Sequence, residues 1–279
     1  STKNEIRQQT RTTLNFNGGI TYDFLKDFRL NIRGGFNSRL TRNENFNNSK
    51  TYRGVLTANN LNGVNGSIYN QTLNDWVNEN TLTYKKKINR DHQFDILVGA
   101  TVQGNNFDEN GFFSTNVPRE ELGLRALQYG IPKTVSSSAR ANTLLSFLGR
   151  ANYNYKSKYL FTVSFRADGS SKFSENNRWA YFPSGAFAWN LNKEKFMKNL
   201  KFISNTKLRL SYGVTGNNRI NDFSRLQSLD ILDYYATNGG APLYAILPDN
   251  LGNAGITWEK TSQFDAGLEL GLFKDRINL

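Results

Sequence analysis

The chain has 279 residues and a formal net charge of +12; 38% of its residues are hydrophobic and 13% are aromatic. It contains no cysteine and a single histidine, His92, which excludes disulfides, thiolate nucleophiles and metal sites that need several histidines. The aromatic content argues against intrinsic disorder, and no stretch reaches the roughly 18 consecutive apolar residues of a membrane-spanning helix. Because the lysines and arginines are spread along the whole chain, the charge does not indicate a nucleic-acid partner.

Alternation of apolar and polar residues predicts β-strands along most of the chain, because it places every second side chain on one face of a strand. Helical periodicity is nearly absent. About ten strands are predicted, at residues 14–22, 28–36, about 73–85, 92–102, 145–155, 159–167, about 179–190, 208–214, 264–270 and from Ile277 onward.

Short and long connections alternate between these predicted strands. The clearest short ones are 23–27, 86–91 and 156–158, and the long ones are about 38–71, 104–142 and 216–255. This alternation is typical of an antiparallel barrel that crosses a membrane, with tight turns on one side and long loops on the other. Loops of more than about 15 residues are uncommon inside a compact soluble domain.

Aromatic residues recur at the strand ends beside the short turns, as in the girdles that flank the apolar band of a membrane barrel. They are Tyr22, Phe28, Tyr84, Phe94, Tyr155, Tyr159, Trp189 and Phe273. The simpler alternative is that aromatic residues favour strands in general.

The other face of the strands is polar, and its charges would be costly to bury in a sandwich core. Members of this face include Arg29, Arg33, Gln93, Asp95, Arg150, Asn152, Asn154, Arg166, Arg209, Ser211, Gln263, Asp265 and Glu269. We therefore predict an all-β fold, an antiparallel transmembrane β-barrel in which residues 1–279 are part of a single domain. Because the last element ends in mid-strand, we expect a fragment of a larger barrel.

Enzymatic sequence patterns are missing. There is no G-x-S-x-G elbow, no Walker A loop and no G-x-G-x-x-G run. His92 begins a strand on the apolar face, where a satisfied interfacial histidine is the simpler interpretation. We expect neither an enzyme nor a cofactor or metal site.

One succession of motifs in residues 142–279 is specific. It contains R-A-D-G-S-S-K-F at 166–173, N-N-R-W at 176–179, F-P-S at 182–184, L-R-L-S-Y-G-V-T-G-N at 208–217 and I-T-W-E-K-T at 256–261. In order and spacing it resembles the barrel of the SusC/RagA family of TonB-linked outer-membrane transporters. Residues 1–141 agree with that family only in pattern.

The resemblance implies a plugged barrel of about 22 strands in the outer membrane of a Gram-negative cell, crossing it many times. It further implies TonB-dependent import of an oligosaccharide or a peptide. The implied partners are a SusD-like surface lipoprotein, the TonB complex through segments outside this chain, and outer-membrane lipid.

Two sets of residues are candidates for a role. The family motif residues are Arg166, Asp168, Gly169, Ser170, Ser171, Phe173, Asn177, Arg178, Trp179 and Pro183. We interpret them as structural, with Asp168, Gly169 and Ser170 forming a tight turn closed by an Arg178–Asp168 pair; a substrate or lid contact is the alternative. The second set consists of Tyr234, Tyr235 and Tyr244 in the last long loop, whose rings would stack on sugars or grip peptides, or simply pack within the loop.

The main alternative to an importer is a soluble or surface-attached all-β module for ligand binding or adhesion, and a passive porin is the third hypothesis. A binding module would bury its apolar face against a second sheet, whereas a membrane barrel exposes that face to lipid.

Overall fold

The computed structural model describes residues 4–200, 202–234, 243–274 and 276–278. Strands dominate these residues, with short 3₁₀ segments in the connections. The strands are β1 (Glu5–Phe24), β2 (Phe28–Asn47), β3 (Asn65–Lys87), β4 (His92–Thr115), β5 (Ile131–Tyr155), β6 (Tyr159–Ser170), β7 (Trp179–Asn190), β8 (Ile203–Asn217), β9 (Ser228–Tyr234), β10 (Leu243–Asn250), β11 (Glu259–Leu272) and β12 (Ile277–Asn278). The 3₁₀ segments are Glu120–Tyr129, Glu175–Asn177, Leu191–Lys193 and Phe196–Asn199.

Ten of the described strands form one sheet in the order β1-β2-β3-β4-β5-β6-β7-β8-β11-β12, and β9 pairs with β10 in a separate hairpin. Neighbours from β5 to β8, and β8 with β11, pair antiparallel. The predicted all-β, antiparallel fold is confirmed. Within the described residues the sheet does not close on itself, as expected for part of a barrel.

The chain divides into two compact units. The first consists of Ser1–Gly18, Gly34–Val77 and Gly104–Asn142, and the second of Gly19–Arg33, Asn78–Gln103 and Thr143–Leu279. The first has a small apolar core of Phe46, Val117, Ala126 and Leu127. The second has a core of Phe173, Ala180, Phe182 and Trp258.

The first two long loops are shorter than predicted. β2 continues to Asn47 and β3 begins at Asn65, so the predicted loop 38–71 shrinks to 48–64; likewise 104–142 shrinks to 116–130. Backbone pairing does not require apolar side chains, so these strands continue where the apolar alternation has ended. The last long loop contains the β9–β10 hairpin, which the sequence did not reveal. Short and long connections alternate up to β6, but residues 171–178 between β6 and β7 are fewer than residues 191–202 between β7 and β8.

Three of the short turns share one backbone conformation. Leu25 and Lys26, Lys156 and Ser157, and Phe273 and Lys274 form successive pairs with φ between 49° and 61°. Positive φ at both central residues is the type I′ pattern, whose twist matches that of the flanking strands. These tight hairpins therefore hold successive strands in register.

The apolar face of the second unit is exposed. On β6, Phe161, Val163 and Phe165 are 44%, 63% and 50% exposed. They lie opposite Tyr153, Ala151 and Gly149 of β5. The same face bears exposed Ile20, Ile32, Val98, Phe147, Tyr212, Phe264 and Leu268 on other strands. Among the described residues, the β9–β10 hairpin is the only strand pair outside the main sheet, so the second sheet of a sandwich is not found there.

The predicted aromatic row is present beside the short turns. One run of ring contacts joins β1 to β3, and a second joins β4 to β7. Centroid distances are 5.4 Å for Phe24–Phe28, 4.7 Å for Phe28–Tyr84, 5.0 Å for His92–Tyr155, 6.3 Å for Tyr155–Tyr159 and 6.1 Å for Tyr159–Trp189. His92 also bonds through Nδ1 to the Tyr153 hydroxyl at 2.8 Å, so its ring is part of the row. None of the described helical segments is long and apolar enough to cross a bilayer.

The exposed apolar face of the second unit, here called the exposed apolar band, gives a first prediction. Val163→Arg in the full-length protein should lower the free energy of unfolding by about 2–4 kcal/mol, because it places a charge on the exposed apolar face, which in a membrane barrel would contact lipid. The measurement is denaturant unfolding of the protein folded into phospholipid vesicles.

Ser211→Arg is the matched control. Ser211 lies on the opposite face at nearly the same level of the sheet, in register with Asp265. The Ser211→Arg variant should leave the free energy of unfolding nearly unchanged. Equal losses for the two variants would mean that the band does not face lipid.

Candidate functional site

The family motifs converge on one apolar core at the ends of β6, β7 and β8. Phe173 is fully buried, and Phe182 and Trp258 are nearly so. The Trp258 ring stacks on Phe173 at 5.2 Å and meets Phe182 edge-on at 5.6 Å. Residues 85 positions apart in the chain thus form a single packing unit, which we call the motif core.

Hydrogen bonds connect two loops at the motif core. The Trp258 indole Nε1 donates to the Arg178 carbonyl at 3.0 Å, and the Ser170 amide donates to the same oxygen at 3.1 Å. The Ser174 hydroxyl donates to the Ala254 carbonyl at 2.7 Å. Loop 171–178 is therefore fastened to residues 254–258.

A buried ion pair fastens the same loop to a third segment. Lys172 Nζ lies 3.2 Å from the Asp222 carboxylate, and Lys172 and Asp222 have side chains only 19% and 8% exposed. Lys172 also donates to the Ile220 carbonyl at 3.1 Å. Ser171 and Asn177 add two further ties: the Ser171 hydroxyl accepts from the backbone amide of Thr143 at 2.9 Å, and the Asn177 side-chain amide donates to the Ala254 carbonyl at 3.4 Å.

The predicted turn at Asp168, Gly169 and Ser170 is wrong. These residues are the last of strand β6, where Asp168 pairs with Ser146 and Ala180 and Gly169 with Leu145 and Trp179. The change of direction comes later, in loop 171–178. Composition suggested a turn, but the sheet on both sides supplies ladder partners that keep these residues extended.

Asp168 pairs with Arg166, not with Arg178 as predicted. The Arg166 Nε donates to both carboxylate oxygens of Asp168, at 2.7 and 2.8 Å, and its Nη2 donates to the Ser146 hydroxyl at 3.0 Å. Residues two apart on a strand share a face, so this pair lies on the polar side of the sheet. Arg178 instead contributes its backbone carbonyl to the motif core.

Gly169 has a steric role. Trp179 lies directly across the β6–β7 ladder from it. A Cβ atom at position 169 would lie 2.9 Å from the indole ring, closer than van der Waals contact allows. The indole also stacks on Phe147 of β5 at 6.0 Å. The Trp179 ring of β7 therefore reaches over Gly169 of β6 to contact a side chain of β5.

Pro183 marks the end of a ladder. It lies opposite Phe165 of β6, and the pairing of β7 with β8 begins at the next residue, Ser184. Proline has no amide hydrogen, so it is tolerated in a strand where no donor is needed. The motif residues are thus placed by packing and backbone requirements.

Two of the three candidate tyrosines, Tyr234 and Tyr244, belong to the β9–β10 hairpin. In its register, Tyr234 pairs with Leu243 and Tyr244 with Asp233, so these two tyrosines occupy successive rungs. Tyr235 lies outside the described residues. The backbone brings Tyr234 and Tyr244 close together, and their contact with ligand remains a prediction.

A polar cavity in the first unit was not anticipated from the sequence. It has a volume of about 680 Å³. Its lining includes the amides Asn45, Asn47, Asn59, Asn60, Asn62 and Asn65, together with Arg53 and Tyr52. Tyr52 is 93% exposed. The only sequence feature that could have indicated this cavity is the high number of asparagines between positions 43 and 65.

Internal hydrogen bonds shape this asparagine cavity. The Asn65 amide donates to the carbonyls of Arg53 and Gly63 at 2.6 and 2.7 Å, and the Asn47 amide donates to Asn65 Oδ1 at 3.0 Å. Ser49 donates from its amide and hydroxyl to Glu120, at 2.7 and 2.8 Å. These bonds lower the pKa of the Glu120 carboxyl and join loop 48–64 to loop 116–130.

A second polar cluster lies beside the short turns, around Glu194. Its carboxylate accepts from Lys158 at 2.9 Å, from the Tyr159 hydroxyl at 2.7 Å and from the Trp189 indole at 3.2 Å. The hydrogen bonds from Lys158 and Tyr159 lower the pKa of Glu194 to about 2.

Comparison with known proteins decides the family. The model of the TonB-dependent receptor-like β-barrel matches residues 2–279. The chain belongs to this family.

Two curated relatives and one solved structure show the degree of similarity. The chain is 34% identical over 280 residues to TonB-dependent receptor P39 of Formosa agariphila, covering 99% of this chain and 25% of the relative. It is 32% identical over 291 residues to the TonB-dependent receptor SusC of Bacteroides thetaiotaomicron, covering 98% and 27%. The RagAB peptide importer in its closed-closed state superposes with a TM-score of 0.83 at 25% identity, over 99% of this chain and 30% of that one.

These findings confirm the predicted resemblance to SusC and RagA. The chain spans about a quarter of the length of the curated relatives that it matches. Members of this family are outer-membrane β-barrel receptors and transporters, not enzymes.

Gly169 gives the second prediction, for the assembly of this receptor barrel. Gly169→Ala, and more strongly Gly169→Val, should destabilise the β6–β7 pair by about 1–3 kcal/mol, because the new side chain collides with Trp179. The measurement is the amount of folded, heat-modifiable full-length protein in the outer membrane.

Gly149→Ala is the matched control variant, and the ligand affinity of Gly169→Val is the second measurement. A Cβ at Gly149 would have no neighbour within 4 Å, so that variant should assemble normally. Normal assembly of Gly169→Val with altered ligand affinity would instead make position 169 a recognition residue.

The Glu194 cluster gives the third prediction, for pH dependence. The pKa of Glu194 lies below its ordinary value of 4.5, so ionised Glu194 favours the folded state. Its stabilising contribution is complete above about pH 4.5 and is lost as the pH falls toward 2. In the full-length protein, the protection factors against hydrogen exchange of the amides of residues 191–200 and 202, corrected for the intrinsic rate at each pH, should therefore fall over this range.

Glu194→Gln should flatten that pH profile, and the matched variant Glu175→Gln, in a different loop, should retain it. An unchanged profile in Glu194→Gln would show that another group controls the acid response of this segment.

Proposed function

We propose that this chain is part of the barrel wall of a TonB-dependent outer-membrane importer of a large nutrient, either an oligosaccharide or a peptide. All 279 residues belong to one barrel domain in this proposal, which the family match over residues 2–279 supports. The whole protein would work with a SusD-like surface lipoprotein. Its contacts with the TonB complex would lie outside this chain.

The observation that carries the proposal is the contrast between the two faces of the main sheet. One face exposes large apolar side chains from many strands. The other bears hydrogen-bonded and ion-paired polar groups, such as Thr162 on Asn152 at 2.8 Å and Arg209 on Glu269 at 2.5 Å. A wall between hydrocarbon and a wet lumen requires this contrast.

The same contrast opposes the alternative of a soluble or surface-attached binding module. Such a module would remove its apolar face from water, since an apolar patch of this extent on a soluble protein promotes association.

Large polar cargo fits the groups available on the loops. The asparagine cavity offers amides and the exposed Tyr52 ring, and Tyr234, Tyr235 and Tyr244 are the proposed aromatic contacts. Amide groups form hydrogen bonds with the hydroxyls of sugars and with peptide bonds alike. The experiment therefore tests both oligosaccharides and peptides.

The fourth prediction concerns uptake. Cells that produce the full-length protein should accumulate either a fluorescent oligosaccharide pool or a fluorescent peptide pool, and deletion of the gene should abolish this accumulation. Deletion of TonB should do the same, and replacement of Tyr234, Tyr235 and Tyr244 by alanine should reduce it. Phenylalanine at the three positions is the control, because it keeps the rings.

Three outcomes would contradict the proposal. Uptake that persists without TonB would indicate a passive porin. Recovery of the protein in a soluble or loosely attached fraction would favour the binding module. If the protein is purified from outer membranes and no surface lipoprotein accompanies it, the proposal of a SusD-like partner is contradicted.

A further inference from the structure

The connection between β7 and β8 differs from the tight turns at the same ends of the strands. Hairpins 25–27 and 156–158 have three residues each, whereas residues 191–202 form a longer segment with two 3₁₀ turns, Leu191–Lys193 and Phe196–Asn199. A tight turn would suffice to join two antiparallel neighbours, so the extra residues require another explanation.

Glu194 fixes the side of the sheet on which this segment lies. Its partners Tyr159 and Trp189 are opposite each other in the β6–β7 register, on the face that also bears Phe161 and Phe187. That is the exposed apolar face. Because the Tyr159 hydroxyl and the Trp189 indole both donate to Glu194, residue 194 lies at the outer rim, above the aromatic row and away from the polar face.

Exposed apolar side chains follow directly after Glu194. Phe196, Leu200 and Phe202 are 60%, 37% and 51% exposed. Phe202 accepts a backbone hydrogen bond from Phe273 at 2.8 Å, and the Phe273 ring is exposed as well. The apolar rim therefore extends to the next turn of the sheet.

Lysines accompany these apolar groups. Lys193 and Lys195 are exposed and flank Glu194 in the chain, while the charge of Glu194 is offset by Lys158. Exposed aromatic rings interleaved with lysines, next to a row of interfacial tyrosine and tryptophan, form the pattern of a segment that lies in a membrane interface.

We propose that residues 191–202, here called the rim segment, bind the anionic phospholipid surface of the leaflet on the side of the short turns. Phe196 and Leu200 enter the boundary between headgroups and acyl chains, and Lys193 and Lys195 contact headgroup phosphates. The rim segment is continuous with the exposed apolar band, so we expect lipid to cover it. Its exposed lysines favour lipids with an anionic headgroup. The rim segment anchors this sector of the barrel at a defined depth, a role separate from import.

The test uses the full-length protein with one fluorophore, attached through Phe196→Cys. The protein is reconstituted in phosphatidylethanolamine vesicles that contain either brominated phosphatidylglycerol or brominated phosphatidylcholine. Both brominated lipids should quench the fluorophore, and phosphatidylglycerol should quench it more strongly. Lys193→Gln with Lys195→Gln should reduce the enrichment of phosphatidylglycerol by about fivefold per lysine.

Two further variants control for position and for local damage. Leu61→Cys places the fluorophore at an exposed leucine in loop 48–64, where bromine should not quench it. Leu200→Cys is a second reporter on the rim segment and should repeat the result for position 196 if Phe196→Cys fails to fold.

Absence of quenching at both 196 and 200 would overturn the proposal and make the exposed rings a contact for a periplasmic protein. Equal quenching by the two brominated lipids, unaffected by the lysine substitutions, would overturn the anionic preference. Neither result depends on whether the protein imports a nutrient.

Discussion

The separation of the sheet into an apolar and a polar face, set by the two-residue period of a strand, is the constraint on which the rest of the structure depends. A sheet in hydrocarbon must satisfy its backbone hydrogen bonds internally and present apolar side chains outward. A slip of one residue would turn every side chain to the wrong face. The type I′ turns at Leu25–Lys26, Lys156–Ser157 and Phe273–Lys274 prevent such slips, because each tight turn fixes the pairing of its two strands.

The motif core solves a different problem at the other ends of the strands. Long loops gain little from the sheet itself, so they need a core of their own. Phe173, Phe182 and Trp258 provide it, and the Lys172–Asp222 pair and the shared Arg178 carbonyl complete the connection. In the first unit, Phe46 and Leu127 play the same part beside the asparagine cavity. Each core thus fastens its loops to one another through packing as well as hydrogen bonds.

The strands with clear alternation, the short turns and the composition of the two faces were predictable because they depend on local pattern. The extents of β1 to β5 were not, since polar residues can pair in a ladder as well as apolar ones; β1, for example, begins at Glu5 and not near residue 14. Asp168, Gly169 and Ser170 have turn composition, yet β5 and β7 hold them in a strand. The partner of Asp168 was missed for the same reason: once residues 166–170 are extended, Arg166 lies beside Asp168 on one face, and Arg178 lies beyond the following loop.

The fold class, the alternation of short and long connections up to β6 and the resemblance to SusC and RagA could be predicted from the sequence alone, because they are patterns along the chain. Three contacts required the tertiary structure: Trp179 covers Gly169, Trp258 packs on Phe173, and Glu194 lies over Tyr159 and Trp189. The Gly169–Trp179 contact follows from the β6–β7 register, and the other contacts follow from the way the loops fold over the strand ends. No local pattern along the chain specifies any of them.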